Sequence, residues 1–355
     1  MMFFFLLNGI STLYSQNQNE AISFFGYRLS LFVIPFALGS IYIQTKLKDR
    51  VISGFATTTT IAGLGCLAWS IYKANINHDW SLLYNDNLSG IINFQSIYFA
   101  MLVNLAIFSF AYLLIKKSPL VDQNIVVPLL IVLLIVNFLL ASRVAIIILY
   151  STIFIFALVH IIRKKKILEG FTLIMGLLLA GFLLVKFFPK TINRFKELTY
   201  TKFDYGSVAK ESHFNVELTK EQWNGANTRI AIWECAWTVI QNNMIFGTGL
   251  GDKIVVLKKE YAKKGFVFGT QTNKNVHNNY LDVWISLGLI GLVIFIAGFI
   301  ILPILKCIQA NDFYGLLVII SFALSLFVET YMDRTMGNTL LAFFIAFISS
   351  YKKSR

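Results

Sequence analysis

Charge is what this sequence has least of. Only 14% of its 355 residues are charged and 57% are hydrophobic. A soluble domain carries about a quarter charged residues, so that class is excluded. Cysteine is scarce as well: Cys66, Cys235 and Cys307 are its three, widely spaced, which suggests neither a disulfide framework nor a metal cluster. Acidic residues number 18 against 31 basic, leaving a net charge of +13. In a soluble chain that excess would point to nucleic acid. Here the basic residues gather in short stretches between apolar runs, where they orient helices in a membrane, and no nucleic-acid partner is expected. The apolar runs do not alternate, so a β-barrel is not indicated. Met1–Leu7 lacks a basic leader and a small-residue cleavage site, so no cleavable signal peptide is expected. No internal repeat or low-complexity tract stands out.

What is present is a series of long apolar segments, with mean hydropathy +0.68. Spans are expected at about 24–43, 51–72, 96–115, 167–188, 280–305, 314–331 and 338–351. The stretch 125–162 is about 38 residues long, enough for two spans of ~19, and only Ser142-Arg143 interrupts it. It reads as a tight hairpin with Arg143 at its outer tip. Residues 1–15 are apolar but short for a span. Basic clusters follow at Lys46, Lys48 and Arg50, at Lys116-Lys117, at Arg163–Lys166 and at Lys352, Lys353 and Arg355. This topology puts them all on the cytoplasmic side. The fold class is therefore an all-α integral membrane protein: one polytopic domain of about 9–10 transmembrane helices.

One large polar segment, 189–276, then lies outside. It carries Trp223, Trp233 and Trp237, a residue type that favours the membrane interface. Ile230, Trp233, Trp237 and Ile240 recur at helical spacing, as in an amphipathic helix lying flat on a bilayer. A second helical stretch, 252–264, ends in Lys258, Lys259, Lys263 and Lys264. That face suits anionic lipid or phosphate, or is simply solvated. The turn Gly247-Thr248-Gly249-Leu250-Gly251 lacks the preceding strand of a dinucleotide site, though such turns also let phosphate approach the backbone. His277 and Asn278 stand where the segment re-enters the bilayer.

Taken in order, Asn227-Thr228-Arg229 with Trp233, Gly247-x-Gly249-x-Gly251-Asp252, Tyr261, His277-Asn278-x-Tyr280-Leu281 and Leu287-Gly288-Leu289-Ile290-Gly291 resemble the signature of the O-antigen ligase and polymerase family. Ser142-Arg143, Glu329 and Gly337 fit the same pattern, so the resemblance runs from about Ser96 to the C-terminus. Members of that family usually have more spans than these, so a shortened start or an incomplete chain is expected. The resemblance implies a bacterial inner-membrane glycosyltransferase working at the periplasmic face. Its donor would be a glycan on undecaprenyl pyrophosphate. Its acceptor would be lipid A core in a ligase, or another lipid-linked glycan in a polymerase. No metal and no nucleotide sugar are implied. The single large outer segment favours the ligase. A transporter of lipid-linked sugars, the rival from another class, would show repeats and broken helices.

The residue chemistry suits such a transfer. Negative charge builds on a departing pyrophosphate, and arginine offers a permanent charge and a rigid fork of donors. Arg143 and Arg229 are the candidates, although Arg143 also fits a snorkelling anchor and Arg229 also fits a residue that only positions the interfacial helix. His277 is the candidate base for the acceptor hydroxyl; binding the pyrophosphate as a cation, or capping the following helix with Asn278, fits its position too. Asn278, Gly247, Gly249 and Glu329 are supporting candidates. Glu329 lies close in sequence to Asp333 and Arg334, and an ion pair there is expected. His78, His160 and His213 have no assignable role.

Overall fold

A computed structural model of the chain describes residues 1–162, 165–209, 211–212 and 222–350. Arg163, Lys164, Lys352, Lys353 and Arg355 of the expected basic anchors, and His213, lie outside the described residues. The chain is a multi-pass helical membrane protein, 77% helical and with no strand among the described residues. In chain order the helices used below are α1 (Met2–Tyr14), α2 (Gln18–Tyr27), α3 (Ser30–Gly39), α4 (Thr45–Asn77), α5 (Ser96–Ile115), α6 (Gln123–Leu139), α7 (Arg143–Ile162), α8 (Ile167–Phe187) and α9 (Pro189–Lys196). They continue with α10 (Asn227–Asn242), α11 (Lys253–Lys263), α12 (Asn279–Gln309), α13 (Phe313–Leu326) and α14 (Thr335–Ser350). Among the described residues five are long and apolar enough to cross a membrane, namely α2–α3 taken together, α4, α5, α8 and α12. α1, α6, α7, α13 and α14 are shorter apolar helices.

The chain divides into two compact units: residues 1–45 with 197–355, and residues 46–196. In the second unit the 125–162 run divides at Ser142-Arg143 as expected, but instead of pairing closely with each other α6 packs mainly on α5 and α7 on α8. The turn between α6 and α7 closes at Ala141, whose φ is 50°. A buried pair of amides fastens it: Asn137 donates to the Asn104 side chain at 2.8 Å, and Asn104 donates to the Ala145 carbonyl at 2.7 Å. In hydrocarbon such groups must find protein partners, because water is absent. Lys46, Lys48 and Arg50 were expected in a loop but belong to the first turns of α4. Lys48 is buried.

In the first unit the N-terminal residues do form a helix. α1 buries Phe4, Phe5, Asn8 and Ser11 and packs on α12. The central feature is a break in α12. Gly288 has φ 66° in mid-helix, roughly 14 Å from the helix start at 1.5 Å per residue. The backbone groups released there are taken by the chain between α10 and α11. Thr248 N–H donates to Ile285 O at 2.7 Å, Gly249 N–H to Ser286 O at 3.0 Å, and Leu289 N–H to Met244 O at 2.8 Å. A broken transmembrane helix survives where neighbouring protein satisfies it. No side chain fits at Gly288: a Cβ would stand 2.0 Å from Ile245 O. Residues 244–249 of the polar segment 189–276 thus pack against the middle of α12.

The rest of that segment packs around its own core. α10 buries Ala231, Ile232, Cys235, Ala236, Val239 and Ile240 against Trp223, Leu257, Tyr261, Phe266 and Phe268. This stripe is rotated from the face of Ile230, Trp233, Trp237 and Ile240 that periodicity suggested, of which only Ile240 is buried. The reason is that small residues, Ala231, Cys235 and Ala236, face the crowded interior. Trp223 is fully buried, and only Trp237 stays exposed, edge-on to Trp284.

Candidate active site

The site is built where two chain segments meet, the residues leading into α12 and those leaving α13. Asn278 caps α12: its side-chain oxygen accepts from the amides of Tyr280 at 2.9 Å and Leu281 at 3.1 Å. This is the ordinary use of Asn at a helix start. His277 precedes the cap with φ 45°, a left-handed conformation that a residue bearing a Cβ adopts at a cost of about 1–2 kcal/mol. It is held there by Asn275, whose side-chain oxygen accepts from the His277 amide at 3.2 Å. Asn275 in turn donates to the Thr330 hydroxyl at 2.7 Å. The cap belongs to Asn278, leaving the imidazole for other work.

That imidazole faces Glu329. His277 Nδ1 lies 3.3 Å from each carboxylate oxygen. The ion pair expected of Glu329 beside Asp333 and Arg334 is made instead with His277, because the chain turns and bends after α13 and brings the carboxylate to the start of α12. Burial opposes the charge of Glu329. The hydrogen bond and charge of His277, the charge of Arg229 and the Thr330 amide outweigh that opposition and hold the carboxyl down at about 2. At neutral pH it is ionised. An ionised carboxylate on Nδ1 keeps the proton on that nitrogen and leaves Nε2 with a lone pair.

Arg229 comes from the first turn of α10. Its Nη1 donates to Gly225 O at 2.6 Å and its Nε to Val328 O at 3.3 Å. Burial lowers its pKa, an effect partly offset by Glu329, Glu211 and Glu197. One turn on, Trp233 donates from Nε1 to Val276 O at 3.0 Å and sets its ring edge against Phe327. Residues four apart share a helix face. So α10 grips the residue before His277 with Trp233 and the residue before Glu329 with Arg229. The sequence reading missed this use of Trp233, and it missed Asn275 and Thr330. The spacing of Arg229 and Trp233 was the available signal.

The glycine turn is committed elsewhere. Four successive amides, from Thr248 to Gly251, donate to Ile285 O, Ser286 O, Ser11 Oγ and Ser15 Oγ. The Asp252 carboxylate accepts from Gln16 and Asn17 amides at 2.7 and 2.9 Å. Gly247 has φ 73°, and a Cβ there would stand 2.5 Å from Gly288 N. The close approach that these glycines permit is to the protein itself, the backbone at Gly288 for Gly247 and the Ser15 side chain for Gly249, so the phosphate-cradle expectation for them is replaced by a packing role.

Arg143 belongs to the second unit, at the start of α7. Its Nη1 donates to Arg194 O at 3.0 Å, and Arg194 Nη1 donates to Asn85 Oδ1 at 3.0 Å. Thr191 fastens the same turn by donating to Phe138 O at 2.8 Å. Arg194 was passed over in the sequence because it sits in a polar stretch outside the matched motifs.

A comparison with known families matches residues 128–296 to the model for O-antigen ligase. A search of curated proteins gives no match. The matched region contains Arg143, Arg229 and His277 and ends inside α12, short of Glu329. Members of that family are O-antigen ligases and polymerases, enzymes of the glycosyltransferase kind. The order of motifs, the multi-pass helical fold and this match agree: over residues 128–296 the chain is similar to the O-antigen ligase family.

Proposed function

We propose that this protein transfers a glycan from undecaprenyl pyrophosphate to a hydroxyl of lipid A core, at the periplasmic face of the bacterial inner membrane. The supporting observation is His277 with Nδ1 on both oxygens of an ionised Glu329. In this reading Nε2 takes the proton of the acceptor hydroxyl as its oxygen attacks the anomeric carbon of the donor. The bond from that carbon to the phosphate oxygen breaks, and its electron pair leaves with the lipid pyrophosphate. Arg229, a partly buried permanent cation whose charge acts on Glu329, meets the charge that develops on the phosphate. A phosphate contact is proposed for Arg143 on its own geometry, with its guanidinium anchored by the Arg194 carbonyl.

A polymerase would use the same chemistry with a second lipid-linked repeat as acceptor. The single large polar segment favours the ligase. The break in α12 does not argue for a transporter, because protein backbone occupies its released groups. The deciding experiment incubates purified protein with undecaprenyl-pyrophosphate-linked glycan and either lipid A core or more donor, with products sized by gel. Transfer to the core, lost in His277→Ala, is the expected result. A ladder of lengthening lipid-linked chains would make it a polymerase. Undiminished transfer by His277→Ala would remove the proposed base.

A further inference from the structure

The two segments that carry His277 and Glu329 also share a buried group of four charges that no step above uses. Lys253 opens α11 and is almost wholly buried, its side chain 2% exposed. Its ammonium donates to both oxygens of Asp282 at 2.8 Å and to Asp333, and lies over the Phe24 ring at 4.3 Å. Arg28, between α2 and α3, is fully buried, with Nη2 3.5 Å from Asp282 and 3.9 Å from Asp333. A second donor of its guanidinium bonds the Asn8 side chain. Two cations and two anions alternate, so the group is neutral as a whole.

The placement of the two aspartates gives the group a meaning. Asp282 sits in the first turn of α12, just past His277 and its cap. Asp333 ends the short helical turn Tyr331–Asp333 that follows Glu329. One lysine therefore ties the segment that carries the imidazole to the segment that carries its carboxylate. Bonds between the same two segments repeat the tie: Asn275 to Thr330 at 2.7 Å, and the Met332 amide to the Asn279 side chain at 3.0 Å. Without the ammonium, two buried carboxylates would face each other with one arginine between them, and like charges in a dry site repel strongly. The segments would part where His277 and Glu329 must stay within hydrogen-bond reach.

We propose that Lys253 is a positioning residue for the transfer: by bridging Asp282 and Asp333 it sets the separation of His277 and Glu329. The inference rests on the proposed role of that pair. Lys253 touches no reacting atom, so its loss should lower kcat and leave the donor KM unchanged. Misplacement of a catalytic group by about 1 Å is worth up to about 10²-fold.

The test separates bridging from charge balance. Lys253→Met alone leaves a net buried negative charge and is expected to unfold. Lys253→Met with Asp333→Asn restores neutrality but removes the bridge. In detergent, this double variant is expected to melt close to the wild type and to turn over undecaprenyl-pyrophosphate-linked glycan at least about tenfold more slowly, with donor KM within about twofold. Lys253→Arg, which can still reach both carboxylates, should recover most of the rate. Wild-type kcat in the folded double variant overturns the proposal. Should that variant not fold, Lys253→Met with Asp282→Asn removes the bridge and restores neutrality at the other carboxylate, and wild-type kcat there overturns the proposal equally. His277→Ala runs alongside: its full activity would sink the reading of the pair itself, whereas an inactive His277→Ala beside fast Lys253 variants sinks the positioning role alone.

Discussion

Replacing Glu329 by glutamine is the sharpest perturbation of this site, since it keeps the shape and removes the charge. In the native protein the carboxylate accepts from His277 Nδ1 at 3.3 Å and from the Thr330 amide at 3.0 Å. Its pKa falls from 4.5 to about 2 against the opposition of burial. At 1.36 kcal/mol per unit, that is about 3 kcal/mol of preference for the charged form. The carboxylate side chain is only 13% exposed, so solvent screening removes little of it. In the proposed transfer this carboxylate faces the imidazole as its Nε2 takes a proton. Glutamine loses that charge, and its amide can also donate to Nδ1 and so favour the wrong tautomer. The corresponding Asp-to-Asn exchange in a serine-protease triad costs about 10⁴-fold. Glutamine can still turn its oxygen toward Nδ1, so the loss expected here is smaller, about 10²–10³-fold in kcat with donor KM little changed. The assay is initial-rate transfer of undecaprenyl-pyrophosphate-linked glycan at neutral pH. A Glu329→Gln protein working within about threefold of the wild type would refute the reasoning, because the imidazole would then need no carboxylate.

The same depressed pKa predicts an acid window. A carboxyl ionised more readily in the folded than the unfolded state stabilises fully above its unfolded value, near 4.5, and loses that contribution as pH falls toward about 2. Thermal melts of the wild type should lose about 3 kcal/mol across that window, and those of Glu329→Gln should lack this component. Gly288→Ala places a Cβ 2.0 Å from Ile245 O in a left-handed conformation. Strain of about 1–2 kcal/mol, together with loosened pairing to the 244–249 segment, should lower the melting temperature sharply; an unchanged melt would show that the break tolerates a side chain. Asn278→Ala removes the acceptor for two amides at the start of α12 and should destabilise by about 1 kcal/mol in a detergent melt.

Much of the architecture was legible in the chain. Span 96–115 coincides with α5, and the 125–162 run divides at Arg143 into α6 and α7, because a span is a matter of local apolar length. A cap at the start of α12 was legible for the same reason, as an alternative use of His277 shared by Asn278, and the structure gives it to Asn278, which acts on amides two and three residues ahead. The N-terminal helix was harder, since α1 is short and owes its stability to Phe4 and Phe5 packing in the interior.

What the sequence by itself determined was the membrane class, the run of helices and the residue types able to handle a proton and a pyrophosphate. Hydropathy and capping act within a turn or two of chain, so they can be read from a window. Only the tertiary structure decided that His277 faces Glu329, 52 residues away, that the glycine turn fills the break at Gly288, and that Lys253 joins Asp282 to Asp333. Those choices depend on which helix ends come together in space. A charge or an amide buried in a bilayer must find its partner wherever packing brings one.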